Sequence, residues 1–511
     1  MKAKSVALLA VTSMLLTSVS VYSLTPPGGV SAWKAPDTVV AVGTEALPEP
    51  GQVELSRFSA GSTLTVEGRV GSPKLLKNGR GETFLMLEVR GGDVGAAKVA
   101  PPVNLSIVMD RSGSMKGTRL RNAINAATQA VDRLRDGDTV SVVAFDNRAR
   151  VIVTPTTISP GERERINAEI RGITLGGDTC ISCGIEDGIF ESDRTMGKVN
   201  RMIVLSDGDA TAGVRDIPGF RSIAQRARER GISVTTIGVD VDYNEKILSA
   251  ISQESNGRHY FVENDAALSR VFEAEADALT STIASGAEAS IELAPGVELD
   301  RVFDRSFRRV GNRVIVPLGT FSKSDVKTIL LKVRVPSQAE GTIAVAGVDL
   351  GYKDLVANTD GKCSGKLGAV VTASSDEARE LDSVVAGRVQ RSETAAVLKD
   401  ANVLFAQGRV GDARRKLELQ ASNVQSVSKG AKSAAPAGRA ADIDRDFNSQ
   451  IAALNEASTG FASPPVAGAP QAQQPGSFAS PPPAPVAAPQ ESRQGKASVR
   501  RNAEKADAFG F

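Results

Sequence analysis

Asp110, Ser112 and Ser114 occupy alternate positions in the run Asp110-Arg111-Ser112-Gly113-Ser114. The aspartate supplies a charged oxygen and the serines supply neutral ones. An oxygen-only donor set suits hard cations such as Mg2+, Ca2+ or Mn2+ rather than softer metals. Two further polar groups stand in comparable settings. Thr179 closes Gly176-Gly177-Asp178-Thr179, just ahead of a helical stretch, and Asp207 follows the strand-like run Met202–Ser206. Cys180 and Cys183 come directly after Thr179. They read as a local disulfide that stiffens the loop, as a redox pair at a helix N-terminus where the dipole lowers a thiol pKa, or as two inert small residues. A zinc site with Cys363 and His259, the only histidine, is the remaining alternative.

The pattern Asp-x-Ser-x-Ser alone is a weak signal, so the elements that would carry it decide its weight. Val103–Met109 is a near-continuous apolar run, as expected of a buried parallel strand. Leu120, Ile124, Ala127, Val131 and Leu134 then recur at helical spacing. Strands are expected over 140–145, 202–205 and 233–239, and helices over 217–230, 244–255 and 266–283. Repeated strand–helix alternation means a doubly wound, mostly parallel sheet. Its carboxyl edge, where open α/β sheets place ligands, would gather Asp110, Ser112, Ser114, Thr179 and Asp207 from three loops. Glu186 and Asp187 read as a solvated helix start, Asp240 and Asp242 as capping or loop residues, and Arg111 as an exposed side chain without chemistry.

With these residues in place, 101–284 resembles a von Willebrand factor type A domain, a Rossmann-like α/β fold. The matching residues are those of that family's metal-ion-dependent adhesion site: Asp110, Ser112, Ser114, Thr179 and Asp207. The resemblance implies that the two serine hydroxyls, and the threonine directly or through water, ligate the metal. The two aspartates hold bound waters. It also implies one open position, commonly filled by an acidic side chain of a protein partner. A cation with neutral direct ligands gains much from an incoming carboxylate, which makes the site a binding device rather than a catalytic one. The cysteines beside Thr179 depart from the family's usual pattern.

Over the whole chain, 61 basic residues face 59 acidic ones, giving a net charge of +2 over 511 residues. That balance argues against a dedicated nucleic-acid binder, and a single tryptophan, Trp33, offers no base-stacking platform. Residues 1–24 carry Lys2 and Lys4 before an apolar run, and read as a signal peptide or an N-terminal membrane anchor, so the bulk of the chain is expected to be exported. With no cysteine near the cleavage region, a lipoprotein anchor is not expected. Residues 25–60 are expected to be a linker. β-rich segments flank the α/β domain: 61–100 is expected to pair with 285–373 in one β-sandwich into which the α/β domain is inserted, because two strands alone would be marginal. Residues 374–457, opened by the capping box Ser374-Ser-Asp-Glu377, are expected to form a helical hairpin with a weak likeness to a tetratricopeptide unit. Residues 458–511, rich in Pro, Ala and Gln, are expected to be disordered.

The layout resembles bacterial proteins labelled calcium-activated chloride channel-like, though no pore-lining span is present. The expected function is exported, divalent-metal-dependent protein binding in the periplasm, cell envelope or extracellular space, in adhesion or envelope assembly. Alternatives are an accessory subunit of a channel or chelatase-like assembly, and a redox-regulated binding protein acting through Cys180 and Cys183. No Gly-x-Ser-x-Gly elbow, His-Glu-x-x-His pair or P-loop accompanies the site, so an enzyme is not expected.

Overall fold

Four strands open the described chain: β1 (Arg57–Gly61), β2 (Leu64–Val70), β3 (Lys74–Leu76) and β4 (Glu82–Gly91). The computed structural model describes residues 55–93, 101–195, 198–263, 265–379, 381–433, 439–461 and 492–510. The expected signal segment and most of the expected linker lie outside these residues, although β1 already begins at Arg57, inside the span expected to be linker.

The α/β domain comes next. It runs through β5 (Val103–Asp110), α1 (Thr118–Arg133), β6 (Thr139–Phe145), β7 (Ala149–Thr157), α2 (Pro160–Arg171), α3 (Ile181–Asp193), β8 (Val199–Ser206), α4 (Ile217–Glu229), β9 (Ile232–Val239), α5 (Glu245–Glu254), β10 (His259–Val262) and α6 (Asp265–Thr280). Its sheet has the order β10-β9-β8-β5-β6-β7, parallel except for the antiparallel edge pair β6–β7. Every residue of β5, β6 and β9 is buried, because helices cover both faces, and this is why those strands read as largely apolar runs without alternating charged residues. From β5 the chain steps to β6 on one side and later returns to β8 on the other. The reversal puts a crevice at the carboxyl ends of β5 and β8, the switch point where such sheets hold ligands.

Seven strands follow: β11 (Thr282–Leu293), β12 (Glu298–Val302), β13 (Arg308–Val310), β14 (Arg313–Ser322), β15 (Val326–Arg334), β16 (Gly341–Asp354) and β17 (Thr359–Thr372). The two β segments join across the insertion. β4 pairs antiparallel with β15 from Arg90↔Val326 to Glu82↔Arg334, and β3 pairs parallel with β17. Two sheets, β1-β2-β4-β15-β12 and β13-β14-β11-β16-β17-β3, share one core in which Leu64, Leu85 and Leu87 are buried with Ile291, Val316 and Leu350. Helix α6 stops at Thr280, short of the expected 283, because β11 starts at Thr282.

The rest is helical: α7 (Ser383–Ala406), α8 (Val410–Ser433), α9 (Ala440–Gly460) and α10 (Arg493–Gly510). Three expectations are corrected here. The capping box does not start a long helix; Glu377–Arg379 is a single 3-10 turn. Asp382 caps α7 instead, accepting from the Val384 and Val385 amides. The hairpin is three consecutive helices with α10 packed on α7. The tail is not structureless throughout, for Phe461 stacks on Phe405 with ring centroids 4.0 Å apart, and 493–510 is helix. The average composition of 458–511 hid a segment in which Ala497, Ala503, Ala506 and Phe509 are buried against its neighbours. Residues 462–491 lie outside the described residues.

Candidate metal centre

The site is built on the switch-point crevice. Asp110, the last residue of β5, is fully buried. Its Oδ1 accepts from the Ser112 amide at 2.8 Å and its Oδ2 from the Ser206 hydroxyl at 2.6 Å. The second bond crosses from β5 to β8 and fixes the two strand ends together. Ser112 and Ser114 follow in the turn, with Gly113–Met115 as one 3-10 turn, and their hydroxyls lie 2.9 Å apart. Ser114 donates to Asp207 Oδ1 at 2.6 Å. A hydroxyl that gives its proton to a carboxylate keeps its lone pairs for a donor or a cation.

Thr179 arrives on a loop held from several sides. Its amide donates to Thr211 Oγ1 at 2.8 Å, and its carbonyl accepts from the Thr211 and Ala212 amides. The Cys180 amide donates to the Asp146 carbonyl at 2.7 Å, and the Gly113 amide to the Gly177 carbonyl at 2.8 Å. Gly176 must be glycine, since a Cβ there would overlap the Asp146 carboxylate. A Cβ placed on Gly208 would lie 3.5 Å from Ser114 Oγ and 3.8 Å from Thr179 Oγ1, so these two hydroxyls face the same small space beside the backbone. All five residues singled out in the sequence therefore meet at one edge of one sheet.

The donors fit a hard divalent cation. The Ser112 and Ser114 hydroxyls, 2.9 Å apart, are close enough to ligate one cation side by side. Burial raises the Asp110 carboxyl to about 6 against the pull of its hydrogen bonds, and burial likewise raises Asp207. Two carboxylates whose charged forms are penalised in this way are a setting that a cation relieves. Among the described residues no three His, Cys, Asp or Glu side chains converge as a metal site. The zinc alternative falls away: Cys363 is buried in β17, and both ring nitrogens of His259 are engaged, by Thr236 Oγ1 at 2.9 Å and Tyr243 Oη at 3.1 Å.

Cys180 and Cys183 form a disulfide across the start of α3. Cys180 is buried beside Ser182, whose hydroxyl accepts from the Val214 amide at 3.0 Å. Closing so short a loop restrains the unfolded chain by about 2 kcal/mol. Replacing both cysteines by serine should lower stability by about that amount, as measured by urea unfolding, and a variant as stable as the parent would contradict it.

Sequence reasoning missed the supports of the site. Arg111 is not an idle surface residue: it pairs with Asp146 and donates to the Thr174 carbonyl at 3.2 Å. Arg119 donates to Asp207 Oδ2 and to the Ser114 carbonyl, both at 2.9 Å, and also pairs with Asp240. Asp240 is thus an ion-pair partner next to the site rather than a mere loop residue. Asp242 pairs with Lys496 at 2.8 Å. Glu186 lies within α3 and pairs with Arg226. Ser206, adjacent to Asp207, and Arg111, between Asp110 and Ser112, lay next to residues already chosen.

This sheet, its switch-point site and its covering helices define a class. Residues 104–274 match the von Willebrand factor type A domain, and this part of the chain is such a domain. Two curated relatives are the uncharacterised protein sll0103 of a Synechocystis strain and the uncharacterised protein YfbK of Escherichia coli K12. The first is 26% identical over 264 residues, covering 50% of this chain and 62% of that protein. The second is 27% identical over 217 residues, covering 42% and 37%. The chain thus spans less than two thirds of either relative's length. A solved structure described as von Willebrand factor type A from Catenulispora acidiphila superposes with a TM-score of 0.64 at 18% identity, over 78% of this chain and 92% of that one. The likeness in fold therefore extends beyond 104–274. Domains of this type mediate protein interactions and bind a divalent metal at a metal-ion-dependent adhesion site.

Proposed function

We propose that this chain is an exported protein that binds a protein partner through a divalent cation, Mg2+, Ca2+ or Mn2+, and that it catalyses no reaction. Ser112, Ser114 and Thr179 would hold the ion, with Asp110 and Asp207 acting on it through water. The partner would supply an acidic side chain to the remaining position. The observation that carries this reading is the convergence of three hydroxyls at the β5–β8 switch point, one of them donating to a buried carboxylate. When bound, the ion supplies an electrophilic centre with mostly neutral donors, to which a carboxylate adds strongly. Export is supported by the basic and apolar opening of the chain and by the Cys180–Cys183 disulfide, a bond favoured outside the cytosol. Among the described residues no helix is long and apolar enough to cross a membrane.

Cell fractionation followed by capture tests the reading. The chain should be found outside the cytosol. It should retain a partner from envelope extract in Mg2+, and lose it both in chelator and as Ser112→Ala. A partner held equally under all three conditions would defeat the metal bridge.

A further inference from the structure

Helix α10 returns from the far end of the sequence to the rim of the metal centre. Along one side it meets the α/β domain through charge. Arg493 pairs with Asp240 Oδ1 at 2.7 Å, Lys496 with Asp242, and Arg500 with Glu245, while Arg501 pairs with Glu263 at 2.6 Å. The Arg500 guanidinium also lies 5.0 Å from the Tyr243 ring centre. On its other side Asn502 donates to Asn402 of α7, and Arg388 of α7 holds the Phe509 and Gly510 carbonyls. The docking is extensive, and its first contact is the informative one.

Asp240 sits just past β9 with φ of 64°, a left-handed conformation uncommon for a residue with a side chain. The Val241 amide donates to its Oδ1 at 2.8 Å, which stabilises that geometry locally. Its two oxygens then face two arginines, Arg493 on Oδ1 and Arg119 on Oδ2. Arg119 in turn holds Asp207 Oδ2 and the Ser114 carbonyl. The path runs Arg493–Asp240–Arg119–Asp207–Ser114, with each link a direct contact.

We propose that Arg119 is the positioning residue of the metal centre, and that Asp240 and Arg493 set its place, so that docking of α10 is read out as metal affinity. Arg119 touches two parts of the site at once, and it aims Asp207 Oδ1 at the Ser114 hydroxyl. With Arg119 absent, Asp207 loses its second anchor and Ser114 loses the direction of its lone pairs. Partners of this kind typically alter metal affinity by about 10- to 100-fold. Arg493 acts one step further out and its side chain is 61% exposed, so a smaller effect, about threefold, is expected. The sign separates positioning from plain electrostatics. Removing a cation near a cation site should by itself tighten Mg2+ binding, whereas losing a positioning contact weakens it.

The inference rests on the metal reading above, and calorimetric titration of the full chain with Mg2+ distinguishes the two. Arg119→Ala should weaken Mg2+ at least about tenfold with Arg119→Lys recovering part of the loss, and Arg493→Ala should weaken it about threefold. In an Asp240→Asn background Arg493→Ala should add nothing, because the path is already cut. Lys496→Ala removes the same charge from α10 without touching Asp240, and should leave the affinity within about a factor of two. Far-UV circular dichroism and the melting temperature identify any variant that fails to fold. A wild-type chain that takes up no Mg2+ overturns both readings. A wild-type chain that binds, with Arg493→Ala unchanged or tighter, or with the effects of Arg493→Ala and Asp240→Asn multiplying, overturns this one alone.

Discussion

Mg2+ should raise the melting temperature of the full chain, and the rise should vanish when Ser112 and Ser114 are both changed to alanine. A ligand that binds only the folded state stabilises it by about 2.7 kcal/mol at a hundredfold excess over its dissociation constant. The double change takes away two of the three hydroxyls that face the proposed ion, and the affinity should fall at least about a hundredfold. The fold itself should be little affected. Ser114 is exposed, and the bond that anchors Asp110 in this turn comes from the Ser112 amide, which alanine retains. Without metal, the variant should therefore melt close to the parent, within about 1 kcal/mol of stability. Differential scanning fluorimetry across a Mg2+ series reads both quantities. An undiminished Mg2+ shift in the double variant would remove the serines from the site.

How much of this was legible in the sequence depended on how local the cause was. The run Val103–Asp110 is buried on both faces, so its apolar text reported its place directly. Asp110, Ser112 and Ser114 share a single turn, and their spacing carried the signal. Edge elements gave no such text: β12 has no fully buried residue, and neither does β13, so neither shows alternation. The capping box at 374–377 failed for a reason outside its own residues. Glu377 pairs with Lys74, while the Asp382 amide donates to the Gly71 carbonyl and its carboxylate pairs with Arg69, so tertiary contacts set the helix start at Asp382. The supports of the metal centre were hidden by distance along the chain. Arg119 and Asp240 are 121 positions apart, and Arg493 lies in a segment whose average composition reads as unstructured. Periodicity sees neighbours along one element, and these contacts belong to the assembled fold.

Glu275 should prove to be among the most sensitive positions in the chain, although it lies in no part of the metal centre. Its side chain on α6 is fully buried. Arg201 donates to it at 2.8 Å, as do Thr235 and Tyr260, and Arg258 lies 3.7 Å away. Arg201 and Arg258 continue outward to Thr320 and Asp325 of the sandwich, so this one carboxylate joins the α/β domain to the domain that encloses it. Glu275→Ala would leave Arg201 buried without its carboxylate, a change that costs about 3–5 kcal/mol. Glu275→Gln keeps the shape and some of the hydrogen bonds and should cost less, about 1–3 kcal/mol. Burial alone would raise the Glu275 carboxyl, but Arg201, Arg258 and the two hydroxyls more than offset this and hold it below its ordinary value of 4.5. A carboxyl with a depressed folded pKa contributes stability that is fully present above the unfolded pKa and is lost as pH falls through the folded one. The stability gap between wild type and Glu275→Gln should therefore be full at pH 7 and shrink as pH drops below about 4. Urea unfolding at a series of pH values measures that gap. A gap that is absent at pH 7, or that widens in acid, would mean the carboxylate is not charged in the folded protein and that the arginines owe their place to something else.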